Sequence, residues 1–329
     1  MDYGNLFALA FEQAIGPTAV IYCLAAVGLN VHFGYTGLLN FGQAGFMAVA
    51  GYALAASVAS WGIGFWWGLL LGLAGAIVLA LLLGFPTLKL RADYLAIVTI
   101  AGAEIIRIVI GSVTLRDTFG GQDGLGEFAG SFQNLNPFHT PMGGLGLSWS
   151  PYDFWVMLVG WIVVALCCFA IFLLMRSPWG RVLKSIREDE DAVRSLGKNV
   201  YGYKMQSLII GGLIGALAGF TSALAQASIQ PLNFASDTTF FAYTILLVGG
   251  AARVLGPVVG TMIFWFLLQF LDLFFGQASK TGLIPSSIMT VNQASLIRFI
   301  VMGLALMLLM IFRPQGIFGD RREIAIDAR

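Results

Sequence analysis

Long apolar stretches recur along the chain from near its beginning to residue 312. Nine of them are candidate membrane spans, because a helix needs about 20 mostly apolar residues to cross the hydrocarbon core of a bilayer. They cover residues 14–33, 40–60, 65–85, 93–111, 153–175, 205–227, 239–252, 254–275 and 294–312. The pattern predicts an all-α integral membrane protein, a polytopic helical bundle of about nine (8–10) transmembrane segments.

Two of these stretches differ from a regular span. Residues 40–60 are rich in Gly and Ala, and residues 239–252 are short. Both are candidates for broken or re-entrant helices, which membrane proteins tolerate where protein or a watery cavity surrounds the backbone. Small residues also recur at every fourth position, as at Gly211, Gly215 and Gly219. This spacing predicts helices that pack closely against one another.

Composition agrees with a lipid environment. Of the 329 residues, 58% are hydrophobic and 11% are charged, and the mean hydropathy is +0.84. A soluble domain carries about 25% charged residues, so this chain has too few to cover a water-exposed surface. The net charge of +1 and the lack of a basic patch predict no nucleic-acid partner. The cysteines and histidines show no metal-binding spacing, so we expect neither a metal site nor a cofactor bound by this chain.

The distribution of Lys and Arg predicts the orientation. Seven of the 18 basic residues lie in the loop 176–204 and four lie beyond residue 312, so both segments are expected in the cytoplasm. Lys89 and Arg91 mark a further short cytoplasmic turn. The Gly-rich segment 112–152 has one basic residue and is expected outside. Within one transmembrane domain covering residues 1–329, this places the C-terminus in the cytoplasm and the N-terminus, after an odd number of spans, outside.

The loop 176–204 shows helical periodicity although it is polar. Val182, Ile186, Val193 and Leu196 are apolar residues among charged neighbours, at spacings of three, four and seven. This pattern predicts short amphipathic helices outside the membrane, ending near Gly197. A solvated loop that only follows the positive-inside rule remains an alternative. The length and the periodicity favour a docking surface.

A few polar residues lie within or beside the apolar stretches. Glu104 and Arg107 are spaced i, i+3 and can pair on one helix face, either to fix helix packing or as part of a translocation path. Asn40 and Gln43 follow the first span and either line such a path or cap helix ends. No phosphate-binding loop and no set of reactive side chains occurs at a defensible spacing, so we expect no catalytic residue and no ATP hydrolysis by this chain.

Five segments, in this order along the chain, resemble the permease subunits of ATP-binding-cassette importers for branched-chain amino acids. The resemblance is to the M-type permease of the high-affinity Leu/Ile/Val system. The segments are Gly34–Phe46, Arg91–Arg107, the motif Gly120-Gly-Gln-Asp-Gly-Leu125, the loop segment Gly180–Gly197, and Phe312-Arg-Pro-Gln-Gly316. One segment departs from the family pattern, since Ala252 and Arg253 stand where a Gly and a Ser or Thr are usual. This difference predicts an altered turn or an altered substrate range.

The resemblance implies a transporter subunit and not an enzyme. It implies that the loop is a coupling helix that docks on an ATPase subunit. The residues it assigns to coupling are Arg187, Glu188, Asp189, Glu190, Asp191, Ala192 and Gly197. It further implies a second homologous permease subunit, two ATPase subunits that bind ATP and Mg, an extracytoplasmic solute-binding protein and a multi-pass location in a bacterial cell membrane. The alternative from residues alone is an ion-coupled secondary transporter or channel for small polar solutes such as urea or amides.

Overall fold

A computed structural model describes residues 3–89, 92–144, 147–280 and 291–319 of the chain. Helices account for most of these residues, and short strands occur only in the connections. The helices are α1 (Tyr3–Ile15), α2 (Pro17–Leu29), α3 (Gln43–Ala59), α4 (Phe65–Thr87), α5 (Ala92–Ile110), α6 (Arg116–Phe119), α7 (Gly130–Gln133), α8 (Pro151–Arg176), α9 (Pro178–Glu188), α10 (Glu190–Ser195), α11 (Val200–Gln226), α12 (Ser236–Gly249), α13 (Gly256–Lys280) and α14 (Val291–Phe312). The strands are β1 (Leu125–Gly126), β2 (Met142–Gly144), β3 (Leu147–Trp149) and β4 (Ser228–Ile229).

The helices identify a polytopic membrane protein. Within the described residues, five helical stretches have the length and apolar composition of a span, namely Pro17–Tyr35, Phe65–Thr87, Pro151–Arg176, Val200–Gln226 and Gly256–Ser279. A sixth joins Tyr94–Ile110 to Val113–Phe119 across a bend of 60°. All nine predicted stretches fall on helices, but α3, α12 and the apolar part of α14 are shorter than these six. The count of nine spans therefore stays a prediction.

The first helix, α1, was not predicted. Its 13 residues are fewer than a span needs, and they include the polar Glu12 and Gln13. It packs against α13 through Phe7, whose ring centroid lies 5.1 Å from that of Phe270. This helix adds a structural element before the first predicted span, so the predicted external N-terminus is not established by the fold.

The centre of the bundle is built from α2, α3, α4 and α11. The glycines of α11 allow a close approach between helices, as their spacing predicted. A side-chain carbon at Gly219 would overlap the backbone oxygen of Met47 in α3, and one at Gly215 would lie 2.5 Å from the side-chain nitrogen of Gln43. Only glycine fits beside the Met47 backbone, so α3 and α11 touch along their backbones at that point.

The junction between α2 and α3 is irregular. After α2 the chain continues as a wider π-helical turn, Asn30–Tyr35, and residues 37–42 are not helical. A π turn leaves backbone groups out of the ordinary i, i+4 pattern and is frequent at functional sites. Segment 40–60, which was a candidate for a broken or re-entrant helix, is therefore the continuous helix α3 from Gln43 to Ala59, and the irregular backbone lies before it.

The connections at the other end of the bundle are compact. β1 pairs antiparallel with β4, with Leu125 opposite Ile229, and β2 pairs with β3. Arg116 donates to Asp123 at 2.7 Å. The predicted Gly-rich segment 112–152 therefore contains defined short elements that close over the ends of α5, α8 and α11.

The chain returns to the bundle after α14. The backbone N–H groups of Ile317 and Phe318 donate to the carbonyls of Val248 and Gly249, at 3.0 and 3.1 Å. Segment 313–319 therefore packs on the turn between α12 and α13. Of the charges used to predict orientation, Arg91 and the arginines beyond residue 319 lie outside the described residues.

Candidate functional site

The loop between α8 and α11 consists of two short helices, α9 and α10, which we call the loop helices. Leu183 and Ile186 of α9 and Val193 of α10 are buried, while the charged residues on the opposite face are exposed, namely Arg181, Glu188, Asp189, Asp191 and Arg194. The carboxylate of Asp189 caps α10 by accepting from the N–H of Ala192 at 2.9 Å. The prediction of amphipathic helices is confirmed. Leu196 does not share the buried face, since its side chain is 81% exposed.

The first loop helix rests directly on the π-helical turn. Arg187 donates from Nη1 to the carbonyl oxygen of Gly34 at 2.5 Å. The ammonium group of Lys184 lies 5.9 Å from the centre of the Tyr35 ring, within the range of a cation–π contact. These contacts connect the loop to the junction between α2 and α3.

The second loop helix is tied to α11 by an ion pair. Glu190 pairs with Lys204, whose side chain is only 12% exposed, and also accepts from Arg194 at 2.9 Å. Asp191 pairs with Arg194 at 3.0 Å and is 88% exposed. Glu190 is therefore a structural link between α10 and α11, whereas Asp191 faces outward.

The predicted coupling residues divide into two groups. Arg187 and Glu190 point back towards the bundle and bind it. The others are on the outer surface of the loop, at Glu188, Asp189, Asp191, Ala192 and Gly197. Gly197 has a φ of +75°, and a side-chain carbon there would meet nothing within 4 Å. This glycine ends the segment in a left-handed turn with open space around it.

A buried polar network lies behind the π-helical turn. Asn30, His32, Asn40 and Gln43 are each at most 1% exposed. Asn30 accepts from the N–H of Ala252 and donates to the carbonyl of Arg253, both at 2.8 Å. The side-chain nitrogen of Gln43 donates to the carbonyl of Gly211 at 3.3 Å. The network joins the α2–α3 junction to α11 and to the α12–α13 turn.

The hydrogen bonds assign the histidine tautomer. His32 Nε2 lies 3.1 Å from the carbonyl oxygen of Leu208, and that oxygen can only accept. Nε2 therefore carries the proton, and Nδ1 accepts from the amide of Asn40 at 3.0 Å. Each of these buried groups has a partner, so the network locks three segments together.

Sequence reasoning missed several members of this network. Thr36 and Ser207 are buried, and their hydroxyl oxygens lie 2.6 Å apart. Tyr243 donates to the carbonyl of Asn40 at 2.9 Å. Ser207 near the start of an apolar helix was a signal for such a contact, but its partner lies 171 residues earlier in the chain.

Glu104 and Arg107 pair as their spacing predicted. Arg107 donates from Nε to Oε2 of Glu104 at 3.0 Å and from Nη2 to Oε1 at 2.5 Å, a bidentate arrangement within α5. The side chains are 38% and 23% exposed, respectively. They do not join the buried network, so the structure separates them from Asn40 and Gln43.

The turn that departs from the family pattern has an unusual backbone. Ala252, at the position of the missing glycine, adopts a φ of +60°, a conformation that favours glycine. Its N–H is held by Asn30. Arg253 is exposed and its carbonyl is also bound by Asn30. The turn therefore keeps a left-handed residue without the glycine.

A chamber of about 600 Å³ opens at the end of the bundle opposite to the loop helices. The chamber is lined by the first residues of α2, α8 and α12 and by the last residues of α11. Its carboxylates are Glu12, Asp153 and Asp237, and the described residues lining it include no Lys or Arg. This volume is in the range of small-molecule sites. The acidic lining favours a ligand that carries an ammonium group.

The described residues contain no group of three or more His, Cys, Asp or Glu side chains that would hold a metal ion. The three cysteines are free, and Cys23 and Cys168 are buried in the bundle.

Comparison with known proteins gives a consistent result. A family model described as "Branched-chain amino acid transport system / permease component" matches residues 15–311. The chain is 31% identical to the Escherichia coli (strain K12) "High-affinity branched-chain amino acid transport system permease protein LivM", over 92% of this chain and 69% of that protein. It is also 31% identical to LivM of Salmonella typhimurium, with the same coverage.

The Salmonella typhimurium "High-affinity branched-chain amino acid transport system permease protein LivH" is 25% identical over 74% of this chain and 79% of that protein. Among solved structures, "PsaBC from Streptococcus pneumoniae in complex with Fab" aligns with a TM-score of 0.44 and 14% identity, covering 90% of each chain. The family match and the identity to LivM decide the assignment. The chain is a member of the family of permease components of branched-chain amino acid transport systems.

Proposed function

We propose that this protein is the M-type permease subunit of an ATP-binding-cassette importer that moves branched-chain amino acids across a bacterial cell membrane into the cytoplasm. The observation that carries the proposal is the family match over residues 15–311, combined with a pair of loop helices bound to the bundle. Separate ATPase subunits supply ATP and Mg chemistry, and a soluble binding protein delivers the substrate outside. The same system contains a homologous second permease, as the names of the Salmonella proteins LivM and LivH suggest.

The contacts of the loop helices suggest how energy reaches the bundle. The outer surface of the loop, with Glu188, Asp191, Ala192 and the exposed Leu196, docks on an ATPase subunit. A movement of that subunit displaces α9, whose Arg187 holds the carbonyl of Gly34. Alternating access needs a structural element that can adopt two arrangements, and the ATPase subunits must shift the equilibrium between them. The π-helical turn is that element in this proposal.

The buried network carries the displacement further. Asn30 links the π-helical turn to the α12–α13 turn, and His32 and Gln43 link the α2–α3 junction to α11. Asn40 and Gln43 therefore transmit the displacement of the π-helical turn to α11. They line the translocation path only in a state in which the hydrogen bonds of the network are broken. The acidic chamber at the opposite end receives the amino acid, whose ammonium group its carboxylates attract.

The charge distribution supports the orientation in this proposal. The loop helices and the C-terminus lie in the cytoplasm. The chamber lies outside, because the spans α8 and α11 run from the loop helices at one end of the bundle to the chamber at the other end.

The experiment is reconstitution of the purified chain in liposomes with its second permease, the ATPases and the binding protein. We expect uptake of radiolabelled leucine that requires ATP inside the liposomes and every component. A matched preparation contains the chain alone with proton or sodium gradients. Gradient-driven uptake by the chain alone would establish the secondary-transporter alternative and refute this proposal.

A further inference from the structure

A small basic pocket lies between the end of α4, the helix α10 and the start of α11. Its volume is about 250 Å³, and its lining includes the cations Lys89, Arg194 and Lys198 and one carboxylate, Glu190. Glu190 already pairs with Arg194 and with Lys204. Among the described residues, no carboxylate pairs with Lys89 or Lys198. Three cations and one carboxylate leave an excess of two positive charges in this space, which we call the α4–α11 pocket.

Two aromatic side chains position Lys89 at the edge of the pocket. Its ammonium group lies 5.7 Å from the centre of the Phe85 ring in α4 and 5.6 Å from that of Tyr201 in α11, within the range of cation–π contacts. Tyr201 also lines the pocket, and its hydroxyl group is buried without a hydrogen-bond partner in the part of the chain that the structure describes. A ligand that accepts a hydrogen bond from this hydroxyl group would remove the cost of burying it alone.

The start of α11 adds to the attraction for an anion. This helix begins at Val200, which lines the pocket, and runs for 27 residues. The N-terminus of a helix carries a partial positive charge, because its first N–H groups have no partner within the helix. The lysines, the hydroxyl group and the helix end therefore favour the same kind of ligand, a phosphate group.

The surface that leads to the pocket along α4 is apolar. Val78, Leu82 and Phe85 follow one another at intervals of four and three residues, so they lie on one face, and their side chains are 54%, 67% and 68% exposed. The ammonium group of Lys89 lies beside the last of them. Because α4 has the length and composition of a span, this face lies at the depth of the hydrocarbon core and the pocket lies at its edge. An apolar face that ends at a basic pocket matches the two parts of an anionic phospholipid.

We propose that the α4–α11 pocket binds the phosphate group of an anionic phospholipid from the cytoplasmic leaflet, whose acyl chains lie along the exposed face of α4. Basic pockets between spans on the cytoplasmic side are suited to anionic headgroups, which this leaflet supplies. Because Arg194 lines the pocket and also binds Glu190, the lipid contacts the link between α10 and α11. The inference rests on the proposed function for its orientation only and does not depend on the transported substrate.

The test measures lipid binding to the purified permease complex by native mass spectrometry, with phosphatidylglycerol and phosphatidylcholine of equal chain length as probes. The double variant Lys89→Gln/Lys198→Gln removes two charges from the pocket. Its matched control, Arg176→Gln/Arg181→Gln, removes two exposed charges at the same end of the bundle that do not line the pocket. Arg176 is also placed over an aromatic ring, 4.1 Å from the centre of Phe172.

We expect the first phosphatidylglycerol to bind the unmodified complex roughly tenfold more tightly than phosphatidylcholine does. The pocket variant should lose this preference, and the control should keep it within about twofold. The single variant Lys198→Gln serves if the double variant does not fold, since Lys198 is exposed, and it should weaken phosphatidylglycerol binding about fivefold. Titration with inorganic phosphate and glycerol phosphate distinguishes a lipid from a soluble anion.

Four results would overturn the proposal. They are equal affinity for the two lipids, an equal loss in the control variant, a soluble phosphate that binds as tightly as phosphatidylglycerol, and displacement of the lipid when the ATPase subunits join the complex. ATP-driven uptake is measured with the same preparations. Uptake without selective lipid binding would refute the pocket and leave the proposed function intact, whereas selective binding without uptake would count against the proposed function only.

Discussion

The link between Glu190 and Lys204 gives the sharpest test of the loop helices. Replacing Glu190 with Gln keeps the size of the side chain and removes its charge. Lys204 is only 12% exposed, so its ammonium group would remain largely buried without the carboxylate. Exposed ion pairs contribute about 0–1 kcal/mol, and breaking a buried pair costs about 3–5 kcal/mol.

The pair has one nearly buried partner and one that is 34% exposed, so it falls between these limits. We expect Glu190→Gln to lower the free energy of unfolding by about 2 kcal/mol, roughly a 30-fold change in the equilibrium. Because α10 would then be held less firmly on α11, the complex should hydrolyse ATP but take up less amino acid per ATP.

The assay combines two measurements on the reconstituted complex. Thermal unfolding of Glu190→Gln, Lys204→Met and the double variant gives a coupling energy, which we expect to be about 1–2 kcal/mol. Uptake of leucine divided by ATP hydrolysed gives the coupling ratio. Asp191→Asn is the matched control, since this neighbouring carboxylate is 88% exposed and should change stability by less than about 0.5 kcal/mol.

Two results would refute this reasoning. If Glu190→Gln and Lys204→Met were additive, the pair would not be a link between α10 and α11. If Asp191→Asn reduced stability and the coupling ratio as much as Glu190→Gln does, the burial of Lys204 would not explain the effect.

Three further predictions use glycine geometry, an exposed apolar side chain and the buried network. Gly219→Ala should prevent correct folding, because the new carbon overlaps the backbone of Met47. Gly197→Ala meets open space and should lower the free energy of unfolding by only about 1–2 kcal/mol, the cost of its left-handed conformation. The yield of folded protein after detergent extraction compares the two variants, and equal losses would contradict the packing argument. Leu196→Asp should leave the melting temperature unchanged and weaken ATPase binding at least tenfold in a pull-down titration, and unchanged binding would exclude this residue from the docking surface. Asn30→Ala should leave the N–H of Ala252 and the carbonyl of Arg253 without this side-chain partner and lower the free energy of unfolding by about 2–4 kcal/mol, measured by thermal unfolding. A decrease below about 0.5 kcal/mol would show that the turn is stable without Asn30.

The sequence predicted the elements of this fold better than their connections. Apolar length located every long helix, and periodicity located α9 and α10, because both signals are local. The short helix α1 was missed, because its 13 residues are fewer than a span needs and its contact with α13 joins segments far apart in the chain.

The candidate site shows the same limit. The spacing of Glu104 and Arg107 predicted their pairing, because the two residues share one helix. Gln43 was recognised as an unusual polar residue, but its backbone partner at Gly211 lies 168 residues away, and the backbone partners of Asn30 lie 222 and 223 residues away. No local pattern encodes which carbonyl another helix presents, so the buried network required the three-dimensional arrangement.

The contact of segment 313–319 with the α12–α13 turn bears on how the protein is made. The N–H groups of Ile317 and Phe318 bind carbonyls at the end of α12, although α13 and α14 are synthesised in between. During translation the carbonyls of Val248 and Gly249 therefore lack these two hydrogen bonds until the residues after α14 have been synthesised. The α12–α13 turn therefore cannot be complete until residues 317 and 318 have been added, and a chain that ends between residues 250 and 312 would lack these two hydrogen bonds.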